Sequence, residues 1–83
     1  MCPKAIVDPA ELRSFAATLK RFTSDLRSDT SNLKAQFNRL GDTWRDLEHA
    51  KFAREFEQTM RVLDHFIQTS EQHIPFLLRK AQR

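Results

Sequence analysis

Few side chains in this 83-residue chain could carry out chemistry: three histidines, one cysteine and eleven carboxylates. Histidine can ligate a metal or move protons, but either role needs a second group within reach. His49, His65 and His73 are sixteen and eight residues apart, and neither interval gives the i,i+3 or i,i+4 neighbours of helix-borne ligands. Asp46 and His49 do lie three apart, and that pair reads as an exposed polar contact in the first turn of a helix. His65 and His73 read as solvated or boundary positions. Gly41 is the only glycine, so no glycine-rich phosphate loop exists, and no nucleophile has a matched base. Cys2 is the only cysteine, which rules out an internal disulfide and reads as an incidental thiol near a terminus. The expectation is a non-enzymatic protein with no catalytic, cofactor-binding or metal-binding residues.

Composition narrows the class further. With 40% hydrophobic and 30% charged residues, the chain suits a soluble helical domain better than a disordered one. One glycine and three prolines are too little turn material for a many-stranded β fold. The net charge is +3, carried by residues 1–41 with seven Lys/Arg against four Asp/Glu. Arg13, Lys20, Arg21 and Arg27 are spread along this half rather than massed, so no nucleic-acid partner is expected. The opening "MCPKAIVDPAEL" lacks the apolar run of a cleaved signal peptide, and no segment reads as a membrane span.

The elements follow from caps and heptads. Asp8, Pro9 and Glu11 are a helix start of the capping-box kind. Leucine then recurs every seventh residue at Leu12, Leu19, Leu26, Leu33 and Leu40, with Phe15 and Phe22 three residues after the first two, as in a coiled-coil seam. Ala16, Thr23, Thr30 and Phe37 widen this stripe, and Gly41 stands where a C-cap glycine belongs. "SDTSN", residues 28–32, is rich in weak helix formers. The unbroken leucine register predicts one long helix with a polar layer at Asp29, the alternative being a loop between two shorter helices, which would make three in the whole chain. The second half repeats the period through Phe56, Leu63, Ser70 and Leu77 beside Met60, Ile67 and Ile74. Phe52 and Phe66 flank these columns, and Glu57 and Arg61 are spaced for an i,i+4 ion pair. Pro75 predicts a kink or helix end near His73–Ile74.

The reading is therefore all-α: an antiparallel hairpin with helix one at about 8–40, a turn at 41–44 and helix two at about 45–81. Each arm carries an apolar stripe wider than one partner helix can cover, so two hairpins are expected to pack as a dimeric four-helix bundle. The residues assigned to the dimer or partner interface are Leu12, Phe15, Leu19, Phe22, Leu26, Leu33, Phe56, Met60, Leu63, Phe66 and Ile67.

Heptad helix, tryptophan-bearing turn and a phenylalanine eight residues after the tryptophan together resemble the WXG family. These are the small helical hairpins related to the early secreted antigen of type VII secretion. The resemblance runs from "VDPAEL" to about Ile74 and rests on Trp44, Phe52 and the place of the turn. It marks Gly41, Trp44, Asp46 and Phe52 as the turn motif, with Asp46 where the family motif has glycine and Thr43 as the expected helix cap. Trp44 would plug the hairpin end against Leu40 and Leu47, or contribute to a surface read by export machinery. The resemblance implies a secretion substrate or adaptor, paired with itself or with a related hairpin, cytoplasmic before export and leaving without a cleaved leader. The family's Tyr-Xaa-Xaa-Xaa-Asp/Glu export signal has no counterpart here, because the chain contains no tyrosine. The nearest segment, Phe76 to Lys80, ends in the opposite charge. A partner supplies the signal, it lies outside this sequence, or the protein is not exported. Two other readings stay open: a hairpin subunit of a secretion-needle-like filament, and a monomeric three-helix binding domain.

Overall fold

A computed structural model describes residues 7–82, so Cys2 lies outside the described residues. Two helices, α1 (Pro9–Leu40) and α2 (Leu47–Ala81), form an antiparallel hairpin about 62 Å long and 22 by 15 Å across. Asp8 starts α1: its backbone is extended and its carboxylate accepts the Ala10 N–H at 2.9 Å, with Pro9 in the first turn. Among the described residues, no helix is long and apolar enough to cross a membrane.

Helix α1 runs through residues 28–32 without a break, so the three-helix alternative does not describe this chain. Ser28, Asp29, Ser31 and Asn32 all face solvent, where their polar groups cost the helix little. The polar layer is at Thr23 and Thr30 rather than Asp29. Both threonines are buried, and their hydroxyls donate to the carbonyls of Lys20 and Arg27 at 3.0 Å. Each hydroxyl is thus satisfied inside its own helix and needs no partner across the seam.

The seam is centred differently from the leucine column. On α1 it consists of Ala16, Thr23 and Thr30, at most 5% exposed, with half-buried Phe37 towards the turn. On α2 it consists of Met60, Ile67, Ser70, Ile74 and Ala81. Small residues on one helix let the larger ones of the other enter, which is close packing between helices of unequal side-chain size. Leu12, Leu19 and Leu26 lie at the edge, half-buried, and Leu33 is exposed.

Polar ties on one side of the seam hold the antiparallel register. The Arg13 guanidinium donates to the Ala81 carbonyl at 3.2 Å, which also places a cation at the negative end of α2. Arg27 pairs with Glu71 at 2.6 Å and Lys34 with Asp64 at 3.0 Å. The expected Glu57–Arg61 pair is not among the ion pairs of the described residues; cross-helix pairs take this role. Pro75 does not end α2, which continues to Ala81. Burial of Ile74 and Ala81 on either side of Pro75 outweighs the lost hydrogen bond to the Glu71 carbonyl.

The seam predicts an asymmetric response at Thr23. Thr23→Val keeps or raises the melting temperature followed by circular dichroism, because it removes only a hydroxyl bonded to its own helix. Thr23→Leu overpacks the close approach and costs about 1–3 kcal/mol. Equal melting temperatures for both variants would contradict the small-into-large seam. The Lys34 and Asp64 side chains are each 43% exposed, so replacing both with alanine changes stability by less than about 1 kcal/mol, read from denaturant titration.

Candidate functional site

Two regions stand out, the turn end and one long face. At the turn, the Leu40 carbonyl accepts the Thr43 N–H at 3.1 Å and the Trp44 N–H at 2.9 Å, and Arg45 Nε donates to the Gly41 carbonyl at 3.0 Å. The Thr43 hydroxyl is turned back to Leu40 at 3.4 Å. It does not cap α2, contrary to the expectation. Asp46 is the cap: its backbone is extended and its carboxylate accepts the His49 N–H at 3.0 Å. Helix α2 therefore starts at Leu47, and the turn is longer than the expected 41–44. Gly41 has right-handed helical backbone angles, φ −62° and ψ −17°, so it is not the left-handed cap that its type suggests. A side chain there would press towards the Asn38 carbonyl and the His49 ring.

Around this turn five rings cluster. Trp44 lies edge-on to His49 with centroids 5.0 Å apart and contacts Phe52 at 6.2 Å. Phe37 stacks on His49 at 5.2 Å and packs on Phe56 at 4.6 Å. Leu47, expected beneath Trp44, is 74% exposed; the indole leans on α2 one turn further in. His49 was read as part of an exposed pair with Asp46. In fact Asp46 bonds its backbone, while its ring turns inward and buries Nε2 without a hydrogen-bond partner. The i,i+3,i+7 spacing of His49, Phe52 and Phe56 was the available signal for this cluster. His65 and His73 are exposed, as expected. Among the described residues, no group of three His, Cys, Asp or Glu side chains could hold a metal ion.

The long face lies on the side of the seam away from the ion pairs. Phe15 and Phe22 are 56% and 52% exposed, and Phe66 and Val62 are 42% and 64% exposed. Phe22 and Phe66 meet edge to face at 6.1 Å across the two helices. Leu12, Leu19, Leu26, Phe56 and Leu63 form a half-buried shoulder beside them, with Leu33 exposed. Met60 and Ile67 were assigned to this interface but are buried against α1, so they belong to the hairpin's own seam. An aromatic face of this length with no cover is unusual for an isolated small protein.

The ring cluster yields a paired prediction. Trp44→Ala removes a partly buried ring and lowers stability by about 2 kcal/mol. His49→Phe keeps or raises stability, because it replaces a buried nitrogen that has no partner. Thermal melts of both variants check this, and a strongly destabilised His49→Phe would contradict the placement of the imidazole.

The family model WXG100, "Proteins of 100 residues with WXG", matches residues 5–83. Among solved structures, the chain is similar to a single-substitution variant of EsxB, a secreted protein from Bacillus anthracis str. Sterne. The TM-score is 0.75 at 26% identity, over 99% of this chain and 94% of that one. No curated protein sequence matches the chain. Position 46 departs from the motif without strain, since extended backbone angles there let aspartate cap α2 through its side chain. Matched over nearly its whole length by the family model and sharing the hairpin of EsxB, the chain belongs to the WXG100 family.

Proposed function

We propose that this hairpin is a non-enzymatic protein-binding module of the type VII secretion kind, a substrate or adaptor that works as half of a four-helix bundle. The observation that carries the reading is the uncovered face of Phe15, Phe22, Val62 and Phe66. A phenylalanine buries some 150–250 Å² when covered, so a second hairpin on this face would remove a large apolar area from water. The partner is a second copy or a related hairpin. Family membership and the likeness to a secreted protein support a chain that is exported. The Trp44 turn has a mainly structural role in this reading, closing the hairpin end, and its remaining exposed edge is available to export machinery.

Light scattering after size exclusion, over a range of concentrations, tests the pairing. The wild-type chain, alone or mixed with a related hairpin, is expected to run as a two-chain species. Phe15→Ser with Phe22→Ser is expected to remain helical but run as one chain. A wild type that stays monomeric and stable with every related hairpin offered would overturn the reading. A mass that keeps growing with concentration would replace it with open-ended assembly.

A further inference from the structure

Charge of one sign borders the aromatic face. Asp29 stands seven residues after Phe22, in the column of Phe15 and Phe22, so the helical period turns it to the same side. Glu11 and Asp25 flank that column, four residues before Phe15 and three after Phe22. On α2, Glu48 and Glu55 share a seven-residue column with Val62 and Phe76, which are 64% and 51% exposed. The cations in these columns are Arg39 and Lys80, one near each end of the hairpin, and His73 shares the column of Phe66. Five carboxylates therefore stand against two cations, on a chain whose formal net charge is +3 with histidine neutral. Most of the positive charge is elsewhere. Arg13, Lys20, Arg27 and Lys34 recur every seventh residue on the other side of the seam, and Arg21, Lys51 and Arg79 fall by the same period on the back.

All five carboxylates are exposed. Among the described residues, the salt bridges are Arg27–Glu71 and Lys34–Asp64, and neither uses any of the five. In the uncovered hairpin water solvates them. Beneath a partner helix, Asp29 would lose that water beside two phenylalanines, which is unfavourable unless a cation meets it. A second copy brings the same acidic borders. Asp25 and Asp29 lie near the middle of α1 (Pro9–Leu40), whereas Arg39 and Lys80 lie towards the ends. Whether two copies run in the same or in opposite directions, the middle of one symmetric face falls on the middle of the other. The basic group at that level is His73, two residues beyond the Glu71 that pairs with Arg27, and it supplies no charge while its imidazole is neutral.

We infer, on the basis of the pairing proposed above, that the partner is a different helical hairpin rather than a second copy. Its apolar face is bordered by lysine and arginine, with a cation placed opposite Asp29. Apolar area supplies the attraction between the two faces, and the borders choose the partner. The same carboxylates that attract a basic-edged hairpin repel a second acidic-edged one, so one feature serves both selection and rejection.

The test uses the full chain and, as probe, a copy of it carrying Asp25→Lys, Asp29→Lys and Glu55→Lys, checked for helicity by circular dichroism. Glu11 and Glu48 are kept, because each stands in the first turn of its helix. Native mass spectrometry at pH 8 separates the mixed pair from the two self-pairs. In an equimolar mixture at ~50 mM salt, the mixed pair is expected to exceed the wild-type self-pair at least about tenfold, falling towards the statistical ratio of about two at ~500 mM. The probe has a formal charge of +9, which is +3 plus two for each of three reversals, so overall charge opposes the mixed pair and only the borders favour it. A statistical mixture at low salt would overturn the inference and leave the pairing standing. Absence of any two-chain species, in either salt, would overturn both. A copy with Arg54→Glu and Arg61→Glu, on the side where Arg61 borders a hollow with Lys34, is expected to mix statistically; an equal preference for it would also contradict the inference. Should the lysine copy fail to fold, Asp25→Asn with Asp29→Asn and Glu55→Gln gives a second reading by light scattering. Its self-pairing at low salt is expected to be several-fold tighter than that of the wild type, and unchanged self-pairing would count against the acidic borders.

Discussion

Everything in this molecule depends on the contact between the small residues of α1 and the large ones of α2. Ala16, Thr23 and Thr30 are small, so Met60, Ile67 and Ile74 fill the space between the helices. That contact closes the hairpin, but it buries few apolar side chains. It also sets which columns are left over. With the small column at the centre, the leucines fall on one shoulder and the phenylalanines beyond them, while the basic row falls on the other. The aromatic surface on one side and the cross-helix ion pairs on the other are consequences of where the seam lies.

The turn end obeys the same logic at shorter range. Asp46 begins α2 with its own carboxylate, so the chain has no need of glycine at that position. Early capping directs His49 inward beneath Phe37, and the histidine becomes one ring among five rather than a reactive group. The turn keeps the family's tryptophan at Trp44, with Asp46 as the cap of α2 where the motif has glycine.

Much of the fold was legible because it rests on local and periodic signals. Asp8–Pro9 marked the start of α1, the heptads marked two arms, and Gly41 marked the end of the first. What was not legible depends on which columns face each other. Leucine is more apolar than threonine, so hydrophobicity alone put the leucine column at the centre; close approach of two helices favours the smaller residue instead. The same error assigned Met60 and Ile67 to an outside partner. α2 runs through Pro75 to Ala81, within the expected span of about 45–81, with buried residues on both sides of the proline. His49 looked exposed because its sequence neighbour Asp46 is polar, whereas its packing partner Phe37 is on the other helix and becomes adjacent only once the turn is folded. The cations seemed dispersed for a similar reason: spacing of seven residues disperses them in sequence and aligns them in space.

The central claim is that the hairpin has a complete inner seam and an incomplete aromatic face. Hydroxyl-radical footprinting read by mass spectrometry tests it most directly, since oxidation reports side-chain exposure residue by residue. The account predicts that Met60, despite its reactive thioether, is protected whenever the chain is folded. Phe15, Phe22 and Phe66 should be oxidised in dilute solution and protected once the chain assembles with a second hairpin. Rapid oxidation of Met60 in the folded chain, or phenylalanines already protected in a single isolated hairpin, would contradict it.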